Sequence, residues 1–576
     1  YSSFPKGLMY GIDVFDSWLY DENKPFDQLM RLDIYKRLKE KAGTGYFEGL
    51  IQKYLLDNTH GSVVVVNPKR GLAAERDAQL EEKLAQYKAS LSQEELENLV
   101  KATAHLKEYQ DAPETEEALK TIPLLKREDI TRETGKFYNT EKHAGETLIL
   151  HHDLYTNGIG YLNLLFNTKK VPSGLVPYLG ILKSVLGYVD TEHYTYGELF
   201  NEINARTGGI LFGIQVFGNA RDNRLTTHMM GIKAKALYED LPFVFQMIRE
   251  ILCTSRLDDE KRLYEIIAKM KSRMQMSMVS AGHSTAVNRA LSYFSENAYF
   301  QEKIAGIDFY ELIDDLEKNF QEKKGEIIEN LKELMKLVFR RENLIVSYTA
   351  DQEGYKGLEE EIQGLKEILG DGEIENAVLE PVFENKNEGF QTSGQVQYVA
   401  TAGNFAEAGY EYTGALRILK VMLSYEYLWT NIRVKGGAYG CMSGFRRTGD
   451  GFLVSYRDPH LKNTLEVFQK TGDFIRSFEA DEREMTKYII GTISELDAPL
   501  TPSAKGSMSL NAWFSGITRE DMQKERDEIL DAQPEDIRNL AGIVDAIVGQ
   551  DRICVIGSEE KIQQDKAVFK EVKHLL

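Results

Sequence analysis

The strongest constraint on this chain is an order of strands and helices that is written twice along it. Residues 147–151 alternate as a strand does, Tyr155-Thr156-Asn157-Gly158 reads as a turn, and residues 161–167 read as a second strand. Helical spacing follows at Leu175, Leu179, Leu182 and Leu186, and again at Leu199 and Ile203, until Gly208-Gly209 stops it. Strands at 210–217 and 227–236, long amphipathic helices over 242–337 and a closing strand at 343–349 complete the unit. The order then returns: a strand at 396–402, a helix at 412–430, Gly436-Gly437, strands at 438–444 and 452–456, further helices, and a closing strand at 552–557. Thr207-Gly208-Gly209-Ile210 falls opposite Lys435-Gly436-Gly437-Ala438, and residues 342–349 fall opposite 551–557. Such a duplication calls for two units of one topology. Strands clustered around intervening helices predict α+β domains, each a mixed or antiparallel sheet with helices packed on one face.

At 576 residues the chain is too long for one core. The two homologous domains are expected at 131–375 and 385–576, preceded by a helical linker and hairpin at 31–130. Residues 1–30 hold a short amphipathic stretch too small to bury a core and read as the C-terminal tail of a preceding domain that is missing here. Within the linker, residues 33–58 have helical spacing with a break at Gly43 to Gly45, and residues 62–66 read as a strand. Residues 72–109 predict two charged helices in a hairpin, the second opened by a Ser92/Glu95 capping box. The chain begins at Tyr1, not Met, and without a leader, so upstream sequence is expected to be missing.

Lys plus Arg number 70 against 90 Asp plus Glu, a net charge of −20, and no basic stripe interrupts that balance, so no nucleic-acid partner is expected. The most apolar stretch, 158–189, is broken by Lys169, Lys170 and Lys183, so no membrane span is expected either. Cys253, Cys441 and Cys554 are few, odd in number and far apart, which suits a reducing compartment: the cytoplasm, or alternatively an organelle matrix.

The densest chemical signal is Trp429-Thr-Asn-Ile-Arg433-Val-Lys435-Gly436-Gly437-Ala438-Tyr439-Gly440. The glycines permit left-handed backbone angles and close approach of another chain. Arg433 offers a permanently charged fork of donors and Tyr439 a neutral phenolic donor, and together they suit negative charge developing on a carbonyl oxygen. On the residues alone, an arginine before a double glycine is more commonly just a helix stop. A phosphate loop is not indicated, because the Gly-x-x-x-x-Gly-Lys-Ser/Thr spacing is absent.

Arg433-Val-Lys-Gly-Gly-Ala-Tyr439-Gly440 resembles the Arg-x-Lys-Gly-Gly-Ala-Tyr-Gly motif of the presequence-protease branch of the insulinase-like (pitrilysin-type) zinc metallopeptidases. The stretch from Tyr46 to His60 is similar to that branch's linker, Thr156 to Tyr161 to its third domain and Ser455 to Pro459 to its fourth, so the resemblance covers essentially the whole chain. It implies four homologous domains in two halves that enclose a chamber for unstructured peptides. Zinc would be held by an inverted His-x-x-Glu-His motif in the first domain. Arg433 and Tyr439 would be catalytic residues that hold substrate and stabilise the oxyanion, and Gly436, Gly437 and Ala438 would line the bound peptide.

None of the 10 histidines here stands in a His-x-x-Glu-His arrangement. His151 and His152 are neighbours on a strand and point to opposite faces. Glu192-His193 with Glu198 and Glu202 supplies a single histidine, and reads as a decayed copy of the zinc helix with surface carboxylates. The chain is therefore expected to be the C-terminal half of a zinc metalloendopeptidase, inactive by itself, with no metal ligands of its own. Its partners would be the N-terminal half of the same enzyme, which binds the zinc, and unstructured peptide substrates. The alternative is a naturally separate, non-catalytic partner or scaffold subunit of an insulinase-like peptidase.

Overall fold

The structure, a computed structural model, describes residues 6–67, 69, 71–112, 114–222, 225–377 and 381–576. The chain divides into two compact units, Tyr1–Leu124 and Leu125–Leu576. No helix among the described residues is long and apolar enough to cross a membrane.

The first unit contains helices Lys6–Trp18, Leu32–Lys41 and Tyr46–Ile51, the last running on into a π-helical turn, Gln52–Leu56. The expected glycine break is there, with Gly43 and Gly45 both at φ 76°. Two longer helices, Leu72–Ser90 and Gln93–Asp111, follow, and Ser92 and Glu95 form the expected capping box. The strand expected at 62–66 does not form: the segment is irregular, because no strand of this unit lies beside it to take its backbone hydrogen bonds. None of the unit's described residues is buried.

The second unit holds two six-stranded mixed sheets. The first is built from β1 (Thr140–Ala144), β2 (Thr147–Asp153), β3 (Ile159–Asn167), β4 (Ile210–Gly218), β5 (Thr226–Leu237) and β6 (Leu344–Ala350). The second is built from β7 (Asn387–Thr392), β8 (Tyr398–Asn404), β9 (Gly440–Phe445), β10 (Asp450–Tyr456), β11 (Arg552–Ser558) and β12 (Glu571–His574). Their orders are β1-β2-β6-β3-β5-β4 and β12-β7-β11-β8-β10-β9. Strand for strand these match: the closing strand β6 or β11 runs parallel to β2 or β7 and antiparallel to β3 or β8. Only the outer edge differs, where β1 joins antiparallel from ahead of its repeat and β12 joins parallel from behind. The Tyr155 to Gly158 turn forms, with Asn157 and Gly158 at φ 56° and 81°. Its flanking strands β2 and β3 are not neighbours, because β6 lies between them.

Each sheet carries its own repeat's helices on one face, over cores such as Leu164, Leu179, Ile232, Ile248 and Val346 in the first and Val399, Leu419, Leu453, Ile489 and Val555 in the second. The other face is covered by a helix from the opposite repeat. Helix Gly282–Ser292 lies on the second sheet, where Ala286, Ala290 and Leu291 meet Tyr398, Ala400 and Cys554. Helix Pro502–Ser515 lies on the first, where Leu510, Trp513 and Phe514 meet Leu150, Leu165 and Phe217. Glycine makes both approaches possible: a Cβ on Gly282 would stand 2.3 Å from the Tyr398 ring, and one on Gly506 would stand 2.0 Å from Thr349 Oγ1.

A buried ionic cluster joins the repeats. Arg289, on helix Gly282–Ser292, donates to both carboxylate oxygens of Glu388 on β7 at 2.6 and 3.0 Å, to Glu302 at 3.1 Å and to Asp308 at 2.6 Å. The Tyr293 hydroxyl donates to Glu388 at 2.7 Å, and Lys573 on β12 reaches the same carboxylate at 3.3 Å. Burial alone would raise the Glu388 carboxyl, but the Arg289 guanidinium beside it holds it below the usual carboxylate range. Arg289→Met would strand Glu388 and Glu302 in a buried site, so it is expected to destabilise the chain by about 3–5 kcal/mol. The double variant Arg289→Met/Glu388→Gln should recover part of that loss, and urea unfolding of the three proteins measures both effects.

Candidate functional site

The helix expected across 412–430 ends early. It spans Ala415–Tyr425, and a separate π-helical turn, Trp429–Val434, carries Arg433. Wider turns of this kind shift side-chain phase and recur at functional sites. The Arg433 guanidinium sits 3.8 Å over the half-buried Trp429 ring and 5.9 Å from the centre of the Tyr439 ring. Among the described residues no carboxylate lies within ion-pair distance of Arg433, so stacking on Trp429 orients it and leaves its donors free.

Between these two side chains the backbone reverses tightly. The Gly437 and Ala438 N–H groups donate to the Arg433 and Ile432 carbonyls at 2.9 and 3.0 Å, and Gly437 adopts φ 78°. Gly436 is equally constrained, because a Cβ there would meet the Ile432 carbonyl at 2.5 Å. Ala438 is only 4% exposed and packs into the second repeat's core, so its side chain anchors the turn from below. The Tyr439 N–H donates to the Tyr456 carbonyl at 3.0 Å, while its side chain stands 67% exposed.

The end of β10 supports that ring. Tyr456 packs edge-on to Tyr439 with centroids 5.9 Å apart, and His283, from the first repeat, packs edge-on to Tyr456 at 4.8 Å. Arg457 takes a left-handed φ of 49°. The next residue, Asp458, is buried and accepts from Thr464 Oγ1 at 2.6 Å and from the His460 N–H at 2.9 Å. Burial pushes the Asp458 carboxyl up. It also pushes the Cys441 thiol, on β9 beside the turn, up to about 12, against the opposing charge of Arg433, so that thiol is not a nucleophile near neutral pH. Tyr456 lies within a stretch singled out from the sequence, but His283 comes from a distant helix and has no local signal.

The other candidate residues do different work. The His151 and His152 rings are buried on opposite faces of β2. His152 Nδ1–H donates to the Tyr138 carbonyl at 3.0 Å and its Nε2 accepts from Ser347 Oγ at 2.9 Å. His193 pairs with Glu250 at 2.9 Å, Glu198 closes the capping box with Thr195, and Glu202 is exposed. Among the described residues no group of three or more His, Cys, Asp or Glu is arranged to hold a metal ion, so the donors described do not fit zinc.

The duplication itself supplies a control. Gly209 and Gly437 both take positive φ, at 106° and 78°, at matching places between helix and strand. Three residues to either side of the first glycine, the second repeat has Arg433 and Tyr439 where the first has Ala205 and Leu211. Both loops are accessible, Leu211 being 62% exposed, but the arginine of the first, Arg206, is one position over and is paired with Asp240 at 2.8 Å, whereas Arg433 has no carboxylate partner among the described residues.

Two family models match this chain: a domain associated with peptidase family M16, subfamily C, over residues 66–316, and the PreP C-terminal domain over residues 387–559. The chain belongs to the presequence-protease branch of the M16 peptidases. It is 39% identical over 576 residues to Protein HypA of Clostridium perfringens (strain 13 / Type A), covering all of this chain and 59% of that protein. It is 29% identical over 583 residues to Presequence protease 1, chloroplastic/mitochondrial, of Arabidopsis thaliana, covering all of this chain and 54% of that protein. It thus spans little more than half the length of these relatives. Among solved structures, the peptidase M16 inactive domain from Pseudomonas fluorescens matches 73% of this chain and 98% of its own, with a TM-score of 0.52 at 13% identity, a likeness of fold.

In this M16 chain His152 makes a pH test. Burial, only partly offset by the Tyr138 carbonyl, pushes its pKa down to about 4, against an ordinary value of 6.5. The folded chain keeps the ring neutral between those values while the unfolded chain takes up a proton, so stability falls as pH drops from 6.5 toward 4, by on the order of 3 kcal/mol. His152→Gln should flatten that part of the dependence, read as urea midpoint against pH.

Proposed function

We propose that this chain is the C-terminal half of a zinc metalloendopeptidase that degrades unstructured peptides in a closed chamber. In this reading Arg433 and Tyr439 are its contribution to an active site completed by the N-terminal half of the same polypeptide. The observation that carries the reading is the contrast between the two glycine loops. A loop needed only to stop a helix and enter a strand works with Ala205 and Leu211, so the accessible Arg433 and Tyr439 answer a different demand.

The chemistry fits the placement. A guanidinium held by a stacking ring and a phenol held by its own backbone are fixed donors, and fixed donors favour a peptide carbonyl most when its oxygen gains charge. The positive-φ turn between them leaves Gly437 exposed, so an extended peptide meets no side chain there. The zinc of such an enzyme is assigned to the N-terminal half, because the described residues of this chain bring no three His, Cys, Asp or Glu together in an arrangement that could hold it. The compartment proposed from the cysteine pattern remains the cytoplasm, with an organelle matrix as the alternative.

In the full-length polypeptide, Tyr439→Phe is expected to lower kcat for an unstructured peptide by about 10²- to 10³-fold, with a smaller change in KM. The 576-residue chain alone should cleave nothing. Near-normal turnover by Tyr439→Phe rejects the assignment, and full activity of a polypeptide lacking this chain favours a non-catalytic scaffold subunit instead.

A further inference from the structure

A second arginine stands beside Tyr439, and its backbone is unusual. Among the described residues three non-glycine positions have a positive φ: Asn157 at 56°, Arg457 at 49° and Asp551 at 53°. Asparagine and aspartate are enriched in that region, because a short polar side chain bonds locally to the backbone, but arginine gains no such relief.

The strain at Arg457 is imposed from both ends. Tyr456 is the last residue of β10, and Asp458 is fastened to Gln397, whose N–H donates to the Asp458 carbonyl at 2.7 Å while the Asp458 N–H donates to the Gln397 carbonyl at 2.9 Å. Thr464 Oγ1 and the His460 N–H hold the Asp458 carboxylate in turn. One residue must turn the chain between these fixed points, and glycine would do so at least cost. An arginine kept at such a position points to use of its side chain.

The neighbours of that side chain are neutral. Its guanidinium stands 5.6 Å from the centre of the Tyr456 ring, the same ring that Tyr439 meets edge-on at 5.9 Å. It also lies beside the Tyr398 hydroxyl, which donates to the Val279 carbonyl at 2.6 Å. The Tyr439 N–H reaches the Arg457 carbonyl at 3.3 Å as well as that of Tyr456. Arg457 is exposed, and among the described residues no carboxylate lies within ion-pair distance of it, as none does for Arg433. Elsewhere this acidic chain pairs its arginines: Arg417 and Arg447 with Glu525, Arg476 with Asp545, and Arg526 with Asp497. Two guanidiniums without a carboxylate, linked through the Tyr439 and Tyr456 rings, make a positive spot that the described residues leave open.

A guanidinium fork matches a carboxylate in both shape and charge. We infer that Arg457 is a substrate-anchoring residue that takes a carboxylate of the bound peptide, from an acidic side chain near the cut or from the C-terminus. This rests on the reading of Tyr439 as a substrate donor and deepens it: the site favours peptides that bring a negative charge to the Arg457 side.

The test uses the full-length polypeptide and four forms of one unstructured peptide. The parent form has a glutamate on either side of its cut and a free C-terminus; the others replace the glutamates with glutamine, amidate the C-terminus, or do both. Arg457→Gly is expected to raise KM for the parent peptide by about 10- to 100-fold with little change in kcat, and to leave KM for the doubly changed form unaltered. The single change that removes most of the variant's effect names the source of the carboxylate. Arg457→Lys keeps the charge without the fork and should retain part of the preference. Because glycine relieves the positive φ, the urea midpoint of Arg457→Gly should be no lower than that of the unaltered protein. An equal rise in KM on the doubly changed peptide overturns the carboxylate assignment, and an unchanged KM on all four overturns the role of Arg457. A lowered midpoint overturns it too, because the side chain would then be holding the loop. Tyr439→Phe, read as kcat on the doubly changed peptide, judges the active-site reading separately from all of these.

Discussion

Arg289 is the residue on which the arrangement of the second unit depends. It is almost wholly buried, and its charge is tolerable only because Glu388, Glu302 and Asp308 converge on it from three different elements. With Lys303 paired to Asp308 and Lys573 reaching Glu388, three cations face three carboxylates across the junction of the repeats. A buried network of this kind is favourable when complete and costly when partial, so it forces the two repeats to assemble together. It also fixes helix Gly282–Ser292, whose first turn places His283 against Tyr456 and so lies behind the candidate site. The exposed Tyr439 ring thus rests on a series of contacts that leads back into the most constrained part of the core.

The strands with a clear apolar period were legible in the sequence, because alternation reports directly which face is buried. β7 was not, and the reason is specific. Its residues, Asn387 to Thr392, are mostly polar, yet all six are buried. Glu388 answers Arg289, Asn387 answers Asp551, and Thr392 Oγ1 donates to the Gly557 carbonyl. Polar groups satisfied by distant partners look like a loop when read one residue at a time. Residues 62–66 are the converse, a strand by composition that finds no strand partner among the described residues. The turn at Asn157 and Gly158 was readable locally, but the insertion of β6 between its flanking strands depends on residues nearly two hundred positions later.

The candidate site divides in the same way. Arg433, Tyr439 and the paired glycines stand together in one short stretch and could be singled out from it. The π-helical turn that aims Arg433 has no distinct composition and became visible only as a backbone course. His283 lies far from the motif in sequence, and its role depends on the crossing of one repeat's helix onto the other's sheet. Reading Glu198 as a surface carboxylate rather than a ligand agrees with its position in a capping box.

The exchange of helices between the repeats has a further consequence. Helix Gly282–Ser292 crosses β11 and helix Pro502–Ser515 crosses β6, so each repeat covers the closing strand of the other. Contacts that are returned in kind are the mark of a twofold interface between identical subunits, where every residue must serve both sides at once. Joining the halves in one polypeptide removes that requirement. A twofold homodimer carries any change in duplicate, whereas a fused pair can vary one loop and leave its counterpart alone. Ala205 and Leu211 opposite Arg433 and Tyr439 are what that freedom permits: one framework used twice, with different side chains on its two loops.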